Sequence, residues 1–238
     1  MFKIQKPEIL SLCALLSIWI CVIISHGFSP DLSDIKTASA QSRPVLILDA
    51  GHGGMDGGAI SVTGKLESEI NWQIAERVRD MALFLGIPVM ETRPEKNIEY
   101  PAGYTSVAAG KRWDTRRRVQ LVNQTENAVL ISIHQNSYPD KSPRGVQVLC
   151  RADDVSCALA QSLQSALEAI TETGARSPVK AAKNIYLLSH VNNPAVLIEC
   201  GFISNPGEAV LLESNSHQKK LSLIIAAAYY NFTGDEMF

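Results

Sequence analysis

The fold is decided by one apolar stretch, Ala128-Val129-Leu130-Ile131-Ser132-Ile133-His134, which has the composition of a buried strand and ends on a histidine. A second stretch, Val45-Leu46-Ile47-Leu48-Asp49-Ala50-Gly51-His52, also delivers a histidine at its end. In a parallel sheet the carboxyl ends of the strands share one edge, so the two imidazoles can converge there. With a carboxylate nearby, that edge is predicted to hold a metal site of the open, catalytic kind.

Strand-like and helix-like segments alternate along the chain from about residue 44 to residue 233. This alternation predicts an α/β three-layer sandwich, in which helices flank a mostly parallel central sheet, as a single domain that carries the site. The predicted strands are Val45–Ala50, Pro88–Thr92, Val129–His134, Val146–Cys150, Ile185–Leu188 and Ala195–Cys200. The predicted helices are Ser68–Leu85, Asp114–Gln124, Val155–Thr171 and Gln218–Phe232, and 94–112 is expected to be a surface loop.

The N-terminus differs in composition from the rest of the chain. Two lysines precede an uncharged run, Ile9–Ser25, and two aspartates follow it, a polarity that predicts export of the C-terminal side. The run has the length of either a short membrane anchor or a long signal segment, and Ala38-Ser39-Ala40 resembles a cleavage site. A buried N-terminal helix is the third alternative. We expect an anchor or signal over 1–27, a polar linker over 28–43, and an extracytoplasmic domain in either case.

Charge and cysteine content narrow the class of protein further. The formal net charge is −2 with both signs interspersed, which gives no indication of nucleic-acid binding. Outside the N-terminal run the cysteines are Cys150, Cys157 and Cys200, an odd set without metal-type spacing. Buried free thiols are expected, with a Cys150–Cys157 disulfide as the alternative.

Each histidine has a competing interpretation. The glycines of Asp49–Gly58 could form a nucleotide-binding loop, but the third glycine of that motif would fall on Asp56, whose charge repels phosphate. His134 alone could be a hydrogen-bonded core histidine. The polar residues Gln135–Ser137 that follow it are instead typical of the edge of an active site.

Two glutamates are candidates to complete the site. Glu67 lies at the start of a predicted helix, where acidic residues are also favoured by the helix dipole, and spacing alone does not choose between Glu67 and Glu69. Glu199 interrupts the apolar strand Ala195–Phe202. A charge there costs several kcal/mol unless it is paired, protonated or beside a metal. A structural salt bridge is the alternative to a general base that reaches a water molecule.

Together these residues complete one chemical arrangement. Two histidines and one glutamate leave the fourth position of Zn²⁺ open for water, and a second glutamate can take the proton of that water. The candidates for supporting contacts are Asp49, Asp56, Asn71 and Asn136.

At these residues the chain resembles the zinc-dependent N-acetylmuramoyl-L-alanine amidases of bacteria, over nearly all of 44–233. The resemblance implies that His52, Glu67 and His134 bind zinc, which selects Glu67 over Glu69, and that Glu199 is the catalytic acid/base. It implies hydrolysis of the amide between N-acetylmuramic acid and L-alanine in peptidoglycan. The matching blocks are Leu48–Gly54 with Asp56–Gly58, Leu66–Asn71, Ser132–Ser137 and Pro194–Asn205.

Some features depart from the family pattern or leave alternatives open. Gln135 stands where relatives often have alanine or cysteine. A single domain behind an apolar segment is similar to the sporulation and germination amidases of spore cortex. Another zinc-dependent wall hydrolase (a peptidase or a deacetylase) and a non-catalytic wall-binding protein are the alternatives. The lack of a wall-anchoring module also leaves room for an unidentified activating protein partner.

Overall fold

The computed structural model describes residues 43–171, 179–180 and 185–234. The predicted N-terminal anchor or signal (1–27) and nearly all of the linker (28–43) lie outside the described residues. In the part of the chain that is described, no helix combines the length and the apolar character that are needed to cross a bilayer.

Six strands form one sheet in the order β2-β1-β3-β6-β4-β5. β1 pairs in parallel with β2 and β3, and β3 pairs in parallel with β6. β4 is antiparallel to β6 and parallel to β5, so the prediction of a mostly parallel sheet is confirmed. The strands are β1 (Val45–Ala50), β2 (Val89–Glu91), β3 (Ala128–Asn136), β4 (Gln147–Cys150), β5 (Val179–Lys180) and β6 (Ala195–Phe202).

Helices cover both faces of this sheet, which confirms the three-layer architecture. They are α1 (Glu67–Phe84), α2 (Val107–Gln124), α3 (Asp154–Thr171), α4 (Tyr186–His190), α5 (Pro206–Glu213) and α6 (Asn215–Phe232). The larger apolar cluster packs α1, α3 and α6 against one face of the sheet. The smaller cluster packs α2 and α4 against the other face.

The pleat of the sheet decides which residues face the smaller cluster. Side chains alternate between faces along a strand, so the residues of β3 that flank Ile133 point away from the larger cluster. The parallel register pairs Asp49 with Ser132 and His134 with Glu199. These four polar residues therefore lie on the same face of neighbouring strands, on the side of α2 and α4.

Two local predictions were wrong. Ile185–Leu188 was expected to be a strand, but the turn that begins at Tyr186 is helical and buries Leu187 and Leu188. Apolar runs of this length do not distinguish a strand from a short helix. The expected loop 94–112 ends earlier than predicted, because Ser106 caps α2 by accepting a hydrogen bond from the backbone of Ala109. The short helix α5 was not predicted from the sequence.

The expectation of three free thiols was wrong for two cysteines. Cys150 at the end of β4 and Cys157 in α3 form a disulfide, with their Cα atoms 5.1 Å apart. The chain between the two cysteines forms a turn that brings them together. In this turn the amide of Cys157 donates to the carbonyl of Asp153, and the amide of Asp153 donates to the carbonyl of Arg151. Cys200 is free and buried, as predicted, and burial raises the pKa of its thiol to about 12.

Candidate metal centre and active site

His52 lies in the glycine-rich loop that follows β1. Its backbone has φ +61°, in the left-handed region that is uncommon for residues other than glycine. Its Nδ1 lies 2.8 Å from Asp56 Oδ2, and its Nε2 lies 3.2 Å from Glu67 Oε2. Because Asp56 accepts a hydrogen bond at Nδ1, the neutral ring leaves Nε2 free as a metal ligand.

His134 lies in β3 and reaches the same carboxylate from the sheet. Its Nδ1 is 3.0 Å from Glu67 Oε1, and its ring centroid is 5.0 Å from that of His52. The ring occupies the space beside Gly51, where an added Cβ would lie 2.3 Å from His134 Nε2. Glycine is therefore required at position 51 because the ring of His134 from β3 approaches the backbone that follows β1, and not because of its backbone conformation.

Glu67 begins α1 and connects the two histidines. The side chain is buried, and Oε1 accepts hydrogen bonds from the backbone N–H of Gln135 at 3.2 Å and from Asn71 Nδ2 at 3.3 Å. Burial raises the pKa of Glu67, but its bonds to both histidines outweigh this and hold the pKa far below its ordinary value. Glu69 points elsewhere and pairs with Lys96 at 2.5 Å. The structure therefore brings Glu67, and not Glu69, to the imidazoles.

The donor set of these three residues fits a metal ion. One ligand atom from each of His52, Glu67 and His134 lies within 4.8 Å of the other two. Imidazole nitrogens and a carboxylate oxygen are also the donor types that zinc accepts in catalytic sites. Burial lowers the pKa of His52, yet bonds to Asp56 and Glu67 raise it to about 9. The negative potential that favours the protonated ring also favours a cation at this position.

Glu199 lies on β6 directly opposite His134 in the register. Its Oε2 is buried and has no hydrogen-bond partner in the described part of the chain. Burial raises the pKa of Glu199 to about 7, although the charge of His134 acts in the opposite direction. The salt bridge that sequence analysis kept as an alternative is absent among the described residues. An unpartnered carboxyl beside the donor set is instead suited to proton transfer.

Three of the four candidates for supporting contacts surround the site. Asp56 orients His52, as described above. Asn71 donates to the carbonyl of Gly51 at 3.1 Å as well as to Glu67. Asp49 lies beneath the site and accepts hydrogen bonds from Ser132 Oγ at 2.5 Å and Thr92 Oγ1 at 2.6 Å. For the fourth, Asn136, the structure gives only a backbone contact, in which its carbonyl accepts from Ile203.

Arg118 is a buried residue of α2 that sequence analysis missed. It donates to the backbone carbonyls of Ala50 at 2.7 Å and His52 at 2.6 Å. It also pairs with Asp49 at 2.6 Å and Asp114 at 2.5 Å. Burial raises the pKa of Asp49, but Arg118 and the two hydroxyl donors lower it to about 2. Its spacing of four residues from Asp114 indicates an ion pair along the helix, and no local feature of the sequence marks this arginine as buried.

Comparison with known proteins identifies this arrangement. The sequence model of one family, described as N-acetylmuramoyl-L-alanine amidase (Amidase_3), matches residues 46–231. The chain belongs to the N-acetylmuramoyl-L-alanine amidase family. It is therefore a hydrolase that acts on peptidoglycan, as the resemblance of its motifs indicated.

Similar proteins agree with this assignment. The germination-specific N-acetylmuramoyl-L-alanine amidase of Bacillus subtilis is 36% identical over 203 residues, which cover 82% of this chain and 83% of that protein. The structure of the CwlD amidase from Clostridioides difficile in complex with the GerS lipoprotein has a TM-score of 0.76 at 30% identity, and covers 80% of this chain and 98% of that one. An amidase structure from Clostridium difficile 630 has a TM-score of 0.69 at 28% identity, covering 82% and 99%.

Family membership decides between the functions that the sequence had left open. An amidase cleaves the bond between muramic acid and L-alanine, so a peptidase or deacetylase of the wall is set aside, and so is a non-catalytic wall-binding protein. The alternative interpretation of Asp49–Gly58 as a nucleotide-binding loop is also set aside. In this amidase the glycine-rich loop instead places His52 against Glu67.

The amidase site opens into a cleft between the sheet edge and the helices α2 and α4. Its volume is about 320 Å³. At its rim Lys111 of α2 pairs with Asp56 at 3.1 Å. The other residues that line the cleft include His52, His134, Glu199, Thr115, Tyr186 and Leu197.

Proposed function

We propose that this amidase holds a zinc ion with His52, Glu67 and His134 and uses Glu199 as its general acid/base. The observation that carries the proposal is the position of Glu67, whose two carboxylate oxygens each approach one histidine ring nitrogen, at 3.2 Å and 3.0 Å. Two imidazole nitrogens and one carboxylate are the ligand set of catalytic zinc sites that keep one position open. His52 would contribute Nε2, because Asp56 occupies Nδ1, and His134 would contribute Nδ1.

The residues of the chain divide the chemistry between them. When bound, zinc polarises the scissile carbonyl and lowers the pKa of water to near neutrality. Glu199 accepts the proton of the attacking water as the carbon–oxygen bond forms, and donates it to the amine of L-alanine as the carbon–nitrogen bond breaks. Asp56 and Asn71 keep His52 and Glu67 in their orientations throughout.

Two substitutions test the proposed roles separately. We expect Glu199→Gln to retain zinc and lose turnover by a factor of roughly 10²–10⁴, since that is the usual contribution of general acid–base catalysis. We expect Glu67→Gln to weaken zinc binding itself, and Glu69→Gln, two residues away, is the matched control that leaves both properties intact. Zinc is measured by metal analysis of the purified chain, and turnover by mass spectrometry of stem peptides that begin at L-alanine. Wild-type turnover in Glu199→Gln would exclude the role of Glu199.

We further propose spore cortex as the substrate and an extracytoplasmic location for the catalytic domain, with boundaries at 44–233. The support is the similarity to a germination-specific amidase and the apolar run Ile9–Ser25, which would anchor or export the domain. Digestion of cortex and of vegetative peptidoglycan by the same preparation tests the substrate. Equal rates on both materials would contradict a preference for cortex.

A protein partner is the last element of the proposal. The CwlD amidase is known in complex with the GerS lipoprotein, and this chain resembles CwlD over 80% of its length. We propose that a partner protein likewise binds this amidase and supports its activity. Co-purification of the zinc-loaded chain from its source, followed by an activity assay with and without the bound protein, tests the interaction.

A further inference from the structure

One face of α2 next to the cleft carries an excess of positive charge. Arg112 and Arg116 are exposed and lie one helical turn apart, about 6 Å along the axis. Neither arginine makes an ion pair or a side-chain hydrogen bond with a described residue. Like charges four residues apart destabilise a helix slightly, so this pair does not serve the stability of α2.

The other cations of this helix are already neutralised. Lys111 pairs with Asp56 at 3.1 Å. Arg117 pairs with Asp114 at 3.0 Å, and the buried Arg118 pairs with Asp114 and Asp49. The unbalanced charge next to the cleft therefore lies on Arg112 and Arg116.

This basic face is continuous with the catalytic cleft. A second depression of about 260 Å³ is lined by Arg112 and Arg116 together with Lys111, Thr115 and Tyr186. The last three also line the cleft that contains the donor set. Tyr186 is 42% exposed and its ring stacks on His190 at 3.8 Å, which fixes one wall of the depression. A molecule that extends from the catalytic centre along α2 thus meets both arginines.

The substrate has charge on one side of the scissile bond alone. The lactyl carboxyl of muramic acid is consumed in the amide, so the glycan side is neutral, whereas the stem peptide beyond L-alanine carries free carboxylates. We propose that Arg112 and Arg116 form a subsite for a stem-peptide carboxylate, which directs the peptide along α2 and the glycan to the opposite side. Guanidinium groups suit this role because they bind carboxylates through two parallel hydrogen bonds. The inference rests on the proposed function, since it assumes that the bond is cleaved at the donor set.

Two synthetic substrates that differ in one group test the subsite. Both are disaccharides linked to L-alanyl dipeptides, one with a free α-carboxylate on the second residue and the other with that group as an amide. The zinc-loaded full chain in detergent is compared with R112A/R116A, with the charge-retaining variant R112K/R116K, and with K219A/K220A. The last pair is an exposed control of equal charge loss on α6, which covers the other face of the sheet.

We expect the wild type to have a lower KM for the carboxylate substrate, and R112A/R116A to raise that KM roughly three- to tenfold at unchanged kcat, the size of one or two accessible ion pairs. The amide substrate should show no change, R112K/R116K should restore part of the preference, and K219A/K220A should have no effect. High salt should reduce the preference. Equal KM values for both substrates in the wild type, or an equal loss on both in R112A/R116A, would overturn the subsite.

Binding of the two released dipeptides, measured by calorimetry, separates this inference from the proposed function. If the wild type cleaves neither substrate but binds the carboxylate peptide better, and R112A/R116A loses that difference, the subsite stands and the catalytic assignment fails. If the wild type cleaves both substrates without any preference for charge, the catalytic assignment stands and the subsite fails. If the wild type shows neither cleavage nor charge-dependent binding, the subsite and the catalytic assignment are both overturned.

Discussion

Replacement of Arg118 by methionine is predicted to destabilise the protein and to weaken its metal site together. Methionine preserves much of the volume of the side chain but removes the donors to Asp49, Asp114 and the carbonyls of Ala50 and His52. Removal of one partner from a buried ion pair costs about 3–5 kcal/mol, because the other charge stays buried without compensation. Domains of this kind have a total stability of about 5–15 kcal/mol, so the loss is a large fraction of it.

A double-mutant cycle with Asp49→Asn identifies the source of that cost. If the destabilisation comes from an uncompensated Asp49 carboxylate, the double variant R118M/D49N should be more stable than the sum of the two single effects predicts, by about 1–3 kcal/mol. The assay is urea unfolding followed by the fluorescence of Trp72 and Trp113. Additive effects, or a loss below about 1 kcal/mol in Arg118→Met, would refute the reasoning.

The ion pair between Asp49 and Arg118 also predicts how the stability of the protein depends on pH. The pKa of Asp49 lies at about 2 in the folded chain, below its ordinary value of 3.8. The unfolded chain therefore binds the proton more readily, and the contribution of about 2 kcal/mol is complete above pH ~4 and is lost as the pH falls towards 2. Unfolding midpoints measured across this range should show the loss in the wild type and much less of it in Asp49→Asn.

Two further substitutions address the proposed metal ligands directly. Gly51→Ala should displace the ring of His134 and abolish metal binding, because the new Cβ would lie 2.3 Å from Nε2. Gly207→Ala is the control and should be tolerated, because the nearest contact of its Cβ is 3.4 Å. Metal analysis of both purified variants tests this prediction. Asp56→Ala removes the acceptor 2.8 Å from His52 Nδ1 and should weaken zinc binding by about 10–100-fold in a chelator competition. Unchanged affinity would show that the glycine-rich loop positions His52 without Asp56.

The sequence predicted the layers and the sheet because apolar runs and helical periods are local signals. It did not give the strand order, which depends on contacts between distant segments. The strand predicted at Ile185–Leu188 is wrong for the related reason that four apolar residues fit a buried strand and a buried helical turn equally.

The candidate site could be predicted to the extent that its residues interrupt a pattern. Glu199 was found because a carboxylate within an apolar strand is costly. The choice of Glu67 over Glu69 needed the resemblance to the amidases or the structure, since either glutamate could begin the helix. Arg118 was missed because it belongs to a run of three arginines that is typical of an exposed surface, and tertiary contacts alone show that this one is buried.

The residues that support the candidate site form two groups, and we expect their substitution to have different effects on stability and on metal binding. Arg118 fixes the backbone by donating to the carbonyls of Ala50 and His52, so we expect its loss to affect both folding and the proposed metal site. Asp56 holds the orientation of one ring at the rim of the cleft, so its loss should affect metal binding with little cost in stability. Asn71 joins the two groups, since it donates to the carbonyl of Gly51 and to Glu67 and accepts from Gln135. One buried amide therefore fixes both the carboxylate of Glu67, a proposed zinc ligand, and the loop that carries His52.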